Sequence, residues 1–178
     1  MEKNDKSKYT HWISESGIVD VFFLPGSGAF EVFDQYTQLT GRQALPPSFA
    51  LGYHQCRWNY RDEKDVEQTE SKFEELDFPF DVLWLDIEHT DGKRYFTWDK
   101  RMFPNPVEMQ KKVAAHGRKM VTIVDPHIKR DSKYSVHAEA TEKGYYIKNE
   151  KGEDFDGWCW PGSSSYPDFT SPEVRRWG

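Results

Sequence analysis

Four polar side chains able to do chemistry, Asp86, Glu88, His89 and Asp91, follow directly on the apolar run Val82-Leu83-Trp84-Leu85. A run of that length suits a strand covered on both faces, as in a parallel sheet with helices outside. A carboxylate immediately after it stands at the strand's C-terminal end, the rim where parallel α/β folds build their sites. The arrangement recurs downstream: the apolar stretch Lys119 to Val124 ends in Asp125, with His127 two residues on. Carboxylates at such a rim can take sugar hydroxyls in charge-assisted hydrogen bonds, serve as acid and nucleophile in glycoside hydrolysis, or join imidazoles around a metal ion. The metal reading would use Asp86, His89, Asp125 and His127. Against it, no His-x-His follows the first strand, where Gly52-Tyr-His-Gln offers a single imidazole. Strand alternation puts Asp86 and Glu88 on one face and Ile87 on the other. Tyr95, Phe96 and Trp98 then add aromatic surface that can stack on a sugar ring or rim a pocket. Taken singly, Glu88 and Asp91 read equally well as a solvated loop.

The elements that must hold these residues alternate from Phe49 onward. Phe49 to Gln55 reads as a first strand and Cys56 to Tyr60 as its loop. Asp62 can cap a helix from Glu63 to Leu76 in which Val66, Thr69, Phe73 and Leu76 share a face. After the strand around Trp84, Phe103-Pro-Asn-Pro introduces a helix from Val107 to Ala115, with Val107, Met109, Val113 and Ala114 partly inward and Gly117 as its stop. Lys119 to Val124 is the third strand. Three strand-helix steps in a row argue for a parallel sheet in an α/β fold. A helix from Val136 to Lys143 follows, and Tyr145 to Lys148 is expected to pair with Asp156 to Trp160 as a hairpin, making about 130–165 an insertion over the rim. Ahead of the sheet, Thr10 to Ile13 and Ile18 to Leu24 read as a hairpin, Phe30 to Leu39 as a short helix, and Thr40 to Pro47, with Pro46-Pro47, as a linker. The domain boundary is therefore expected near residue 40, with 1–40 and 41–178 as the two parts.

Composition narrows the partners. The aromatic content of 16% fits a carbohydrate-handling surface, although large cores also use aromatics for packing. A net charge of -6, without a basic stripe or block, argues against nucleic acid and against an anionic membrane, and suits a neutral, hydroxyl-rich ligand. Two cysteines, Cys56 and Cys159, are too few for a disulfide framework and are expected to be free. The 178 residues fall well short of the ~250 of a complete (β/α)8 barrel. Ser171, Pro172 and Glu173 form a helix start only a few residues from Gly178, so the chain reads as a segment of something larger.

The run Trp84-Leu-Asp-Ile-Glu-His-Thr-Asp-Gly-Lys-Arg-Tyr-Phe-Thr-Trp98 resembles glycoside hydrolase family 31, in its glycoprotein-processing branch. The similarity extends from about Tyr9 to the end, through His11-Trp-Ile-Ser-Glu-Ser-Gly17, Gly52-Tyr-His-Gln-Cys-Arg-Trp-Asn-Tyr60, Val124-Asp-Pro-His-Ile-Lys129 and Trp158-Cys-Trp-Pro-Gly162. Many members carry Asp where Glu88 stands, and Glu-His is similar to that branch in particular. The resemblance implies the first three strand-helix units of a (β/α)8 barrel, preceded by the last hairpin of an N-terminal β-sandwich. It implies a retaining exo-α-glucosidase, without cofactor or metal, that trims α-1,3-linked glucose from N-glycans in the endoplasmic reticulum lumen beside a regulatory β subunit. The alternative it leaves is a cytosolic-type neutral α-glucosidase acting on maltose-type or glycogen-derived substrates. Asp86 would accept hydrogen bonds from the bound glucose, and Trp58, Ile87, Ile123 and Trp160 match positions that line the same pocket. Core packing is the competing account of all four, and a structural carboxylate paired with a buried arginine that of Asp86. Asp125, His127 and His89 would support the site from behind, Asp125 and His127 orienting each other or Asp86. The family's nucleophile lies in a Trp-x-Asp-Met-x-Glu motif that does not occur here, so no catalytic residue is expected in this chain and the chain alone is expected to be inactive. A non-catalytic sugar-binding β-sandwich is a further alternative, disfavoured by the alternating strands and helices after residue 49.

Overall fold

A computed structural model describes residues 2–3 and 8–178, in two compact units, Met1–Leu45 and Pro46–Gly178. In the first unit β1 (Glu2–Lys3) pairs antiparallel with β2 (Lys8–Tyr9), and α1 spans Ala29–Thr40. The expected hairpin of Thr10 to Leu24 does not form; the chain there has no regular strand. Its apolar residues Ile13 and Ile18 are each 93% exposed, and α1 buries none of its residues. Two isolated strands are marginal without a surface to cover, so β-favouring composition alone does not make a ladder.

The second unit is built on a parallel sheet in the order β3-β4-β5, comprising β3 (His54–Arg57), β4 (Val82–Leu85) and β5 (Lys119–Thr122). Helix α2 (Glu63–Glu75) joins the first pair and α3 (Pro106–Ala115) the second. Asp62 caps α2 as expected, accepting the Asp65 backbone N–H at 2.8 Å. Alternation along β4 sends Leu83 and Leu85 into a core with Val66 of α2, Met109 and Val113 of α3, and Phe103. The inward helical positions are fewer than the periodicity indicates: Leu76, Val107 and Ala114 are exposed, each at an end of its helix. The first strand also departs from expectation. Ser48–Leu51 is a 3-10 turn, and β3 runs from His54 through Cys56 and Arg57, residues expected in a loop. Pairing with β4, His54 opposite Val82 and Arg57 opposite Leu85, decides those bounds. Phe103 is fully buried between the layers, so Phe103→Ala should cost about 3–5 kcal/mol, checked as a lower midpoint in denaturant unfolding. A loss under ~1 kcal/mol would mean that this core collapses around the gap.

Beyond β5 the expected pairing of the rim segment is corrected. Strands β6 (Ile128–Lys129), β7 (Gly157–Cys159) and β8 (Gly162–Ser165) form an antiparallel sheet in the order β6-β8-β7, with α4 (Ser135–Glu142) between β6 and β7. Gly157–Cys159 therefore pairs with Gly162–Ser165, and Tyr145 to Asn149 turns back on Glu153 to Phe155. Ile128, Tyr134, Ala140, Tyr145 and Tyr146 make a second core. The closing helix α5 (Pro172–Trp177) is docked on it by Val174 and by the Tyr145 hydroxyl, which donates to Glu173 at 2.8 Å; the Ser171 side chain makes no cap. Among the described residues no helix is long and apolar enough to cross a membrane.

Candidate functional site

At the end of β4 the chain stops being a strand. Asp86 stays extended, and its Oδ1 accepts the Ile87 N–H at 2.7 Å, opening a 3-10 turn over Ile87–His89. The alternation expected to separate Asp86 from Ile87 is thereby broken, and both line one cavity of about 620 Å³ beyond the strand ends. Ile123 reaches it from the end of β5, where its N–H still bonds the Leu85 carbonyl at 3.0 Å. Trp58 arrives from the end of β3, and Trp160 from the turn between β7 and β8. All five residues expected to touch sugar thus meet on one wall-to-wall surface although they lie on four separate segments. Asp125 lines the cavity as well, in front of the place behind the site expected for it.

Two further residues line it that sequence reasoning passed over, Lys93 and Trp158. Trp158 and Trp160 pack edge to face with centroids 6.4 Å apart. Their i, i+2 spacing around Cys159 is the period that puts two strand residues on one face, and it was the available signal. Lys93 sits in the turn Asp91 to Arg94, where Gly92 and Lys93 both have φ near +60° and the Arg94 N–H bonds the Asp91 carbonyl at 3.2 Å. Asp-Gly is a turn signal of that type, though it does not tell where the next side chain points. Glu88 stands between two cavity residues: its Oε1 accepts from the Trp58 indole at 3.2 Å and lies 4.0 Å from the Lys93 ammonium.

The expected support from histidines takes another form. His89 is buried, its Nδ1 is 2.7 Å from the Asp86 carbonyl oxygen, and its ring packs on Trp98 at 4.9 Å. A carbonyl can only accept, so Nδ1 carries the proton and the ring is pinned by backbone, with no contact to the Asp86 carboxylate. His127 is also buried, 3.4 Å from the Tyr95 hydroxyl and packed at a tilt against that ring, and makes no hydrogen bond to Asp86. Tyr95 and Trp98 are core rather than rim, and Phe96 lines a neighbouring apolar cavity. Burial holds both His89 and His127 below the ordinary imidazole value of 6.5. A histidine kept neutral by folding binds its proton more readily when unfolded, so stability is complete above about pH 6.5 and falls as the pH drops below it toward the folded-state values. The melting temperature should therefore decline between pH 7 and 5.5, and His89→Asn should flatten that slope, since its amide can replace Nδ1 as donor but does not titrate. An unchanged slope would place the dependence elsewhere.

The cysteines are free, as expected. Burial, reinforced by the charge of Asp86, raises the Cys56 thiol above its usual range. Among the described residues the one group of three ligand-type side chains close enough to share a metal ion is Glu70, Glu74 and His116, remote from the cavity, and Arg118 already occupies it with ion pairs of 2.7 Å to both glutamates. The cavity itself offers two carboxylates, one ammonium, three indoles and two isoleucines. Such a surface can accommodate an uncharged polyhydroxylated ring, since indole and isoleucine suit its C–H faces and carboxylates can accept from hydroxyls.

Comparison with known proteins agrees with that chemistry. Residues 43–178 match the family model described as the glycosyl hydrolases family 31 TIM-barrel domain. The chain is 66% identical over 171 residues to neutral alpha-glucosidase AB of Dictyostelium discoideum, covering 96% of this chain and 18% of that protein. It is 67% identical over 168 residues to a probable glucan 1,3-alpha-glucosidase of Arabidopsis thaliana, covering 94% and 18% respectively. Among solved structures, the catalytic subunit of ER glucosidase II, in complex with the binding domain of its regulatory subunit, is similar with a TM-score of 0.79 at 50% identity, over 83% of this chain and 16% of that one. The chain thus spans less than a fifth of the length of these two curated relatives, 18% in both cases.

Proposed function

The chain belongs to glycoside hydrolase family 31, and on that premise we propose that it forms the sugar-binding part of a retaining exo-α-glucosidase that removes terminal α-1,3-linked glucose from N-glycans. The observation that carries this is the convergence of Asp86, Ile87, Trp58, Ile123 and Trp160 on one cavity at the C-terminal ends of three parallel strands. Asp86 accepts from the hydroxyls of the bound glucose, the isoleucines close over its ring, and the indoles take the rest of the glycan. On this reading β3, β4 and β5 are the first three strands of a (β/α)8 barrel, and residues 1–40 are the end of an N-terminal β-sandwich. Retaining hydrolysis needs a nucleophile and an acid/base roughly 5–5.5 Å apart. Both are assigned to other parts of the whole protein, with Asp86 and Asp125 left to binding. The work is placed in the endoplasmic reticulum lumen, beside a regulatory β subunit, on the strength of the likeness to ER glucosidase II. A second reading, a cytosolic neutral α-glucosidase acting on maltose-type or glycogen-derived substrates, rests on the likeness to the Dictyostelium neutral alpha-glucosidase AB.

Glucose release from a glucose-capped N-glycan and from maltose separates the two. The full-length protein is expected to prefer the α-1,3-linked glycan, and preference for maltose would favour the second reading. The 178-residue chain alone is expected to release glucose from neither. Turnover by that chain, abolished by Asp86→Asn, would overturn the assignment of roles.

A further inference from the structure

The cavity carboxylate Asp125 is held from behind by a buried phenol. Tyr95 is 3% exposed and lies in the loop after β4, yet its hydroxyl donates to Asp125 Oδ2 at 2.7 Å, joining that loop to the end of β5. Tyr95 is itself fixed twice: its ring packs against His127 with centroids 5.4 Å apart, and its backbone carbonyl accepts from the buried Tyr134 hydroxyl at 2.8 Å. Among the described residues Oδ1 of Asp125 receives no hydrogen bond, and Asp125 lines the cavity. One carboxylate oxygen is thus tethered, and the other is left for whatever fills the space. Burial, with the carboxylate beside it, pushes the Tyr95 hydroxyl well above the ordinary phenol range, so it keeps its proton and acts as a permanent donor.

From this geometry we infer that Tyr95 is a positioning residue, which orients Asp125 so that Oδ1 accepts a hydroxyl of the bound sugar beside the hydroxyls taken by Asp86. The inference rests on the function proposed above and adds a second sugar-binding carboxylate to it, with the tyrosine that aims it. Charge-assisted bonds are strong because the partner is fixed in advance, and a free aspartate would lose part of that advantage to rotamer freedom.

The test is a double-mutant cycle in the full-length protein on nitrophenyl α-glucoside, with Tyr95→Phe, Asp125→Asn and both together. Tyr95→Phe keeps the ring in its packing and removes only the donor. Each single change is expected to lower kcat/KM roughly ten-fold, and the double variant to lose little more than the worse single, because the tyrosine acts through the aspartate. Losses that multiply, or a Tyr95→Phe enzyme with normal kinetics and only a lower melting temperature, would overturn the inference and leave the proposed function standing. A wild-type protein inactive on α-glucosides, and unable to bind glucose by calorimetry, would remove the proposed function and this inference together.

Discussion

Asp86→Asn in the full-length protein is expected to lower kcat/KM on α-glucosides roughly ten- to a hundred-fold, with little change in melting temperature. The structure makes this substitution unusually clean. Oδ1 of Asp86 caps the 3-10 turn by accepting the Ile87 N–H at 2.7 Å. An asparagine oxygen can do the same, so the turn and the placement of Ile87 survive. What is lost is the charge and one acceptor facing the cavity. Each charge-assisted bond forfeited is worth about 1.5–3 kcal/mol, and hydroxyl contacts in glycoside hydrolysis tighten toward the transition state, so kcat should fall along with kcat/KM. The competing account, a structural carboxylate on a buried arginine, finds no such partner among the described residues, where Oδ1 of Asp86 accepts from the Ile87 backbone. Near-normal kinetics with a melting point many degrees lower would show that Asp86 serves the fold.

A stability effect as large as that of Phe103→Ala is expected from Arg118→Met, away from the cavity. Its guanidinium lies over the Phe80 ring at 4.2 Å and bonds Glu70 and Glu74, each at 2.7 Å. Glu70 is 6% exposed on α2, so removing the cation leaves its charge with the His116 imidazole alone. Breaking a buried pair from one side typically costs 3–5 kcal/mol, whereas replacing both partners by apolar groups of like volume can be close to neutral. Denaturant unfolding should therefore show a loss of about 3–5 kcal/mol for Arg118→Met and recovery of most of it in Glu70→Met/Arg118→Met. Equal losses in the single and double variants would mean that packing on Phe80, rather than charge, is what Arg118 contributes.

Where local rules suffice, the chain could be understood from its residues in order. Val82 to Leu85 is apolar on both faces and becomes the central strand β4; Asp62 caps α2; Met109 and Val113 are spaced to face the sheet, and do. Asp86 at a strand end already pointed to the cavity, whereas Tyr95 and Trp98 close by went to the core. Each of these depends on interactions within one turn or one strand, which composition and period specify. What required the third dimension depends on a neighbour remote in sequence. Thr10 to Leu24 has the residues of a hairpin and remains irregular, since no surface among the described residues covers it. Gly162–Ser165 has none of the usual strand residues and is one, because β6 and β7 pair with both its edges and bury Ser164 and Ser165 completely. Ile87 faces the cavity because a 3-10 turn cancels the alternation, and Tyr95 meets Asp125 across 30 positions only once β4 and β5 lie side by side. A period assigns a side chain to a face of its own element; which other element stands opposite that face is decided by packing.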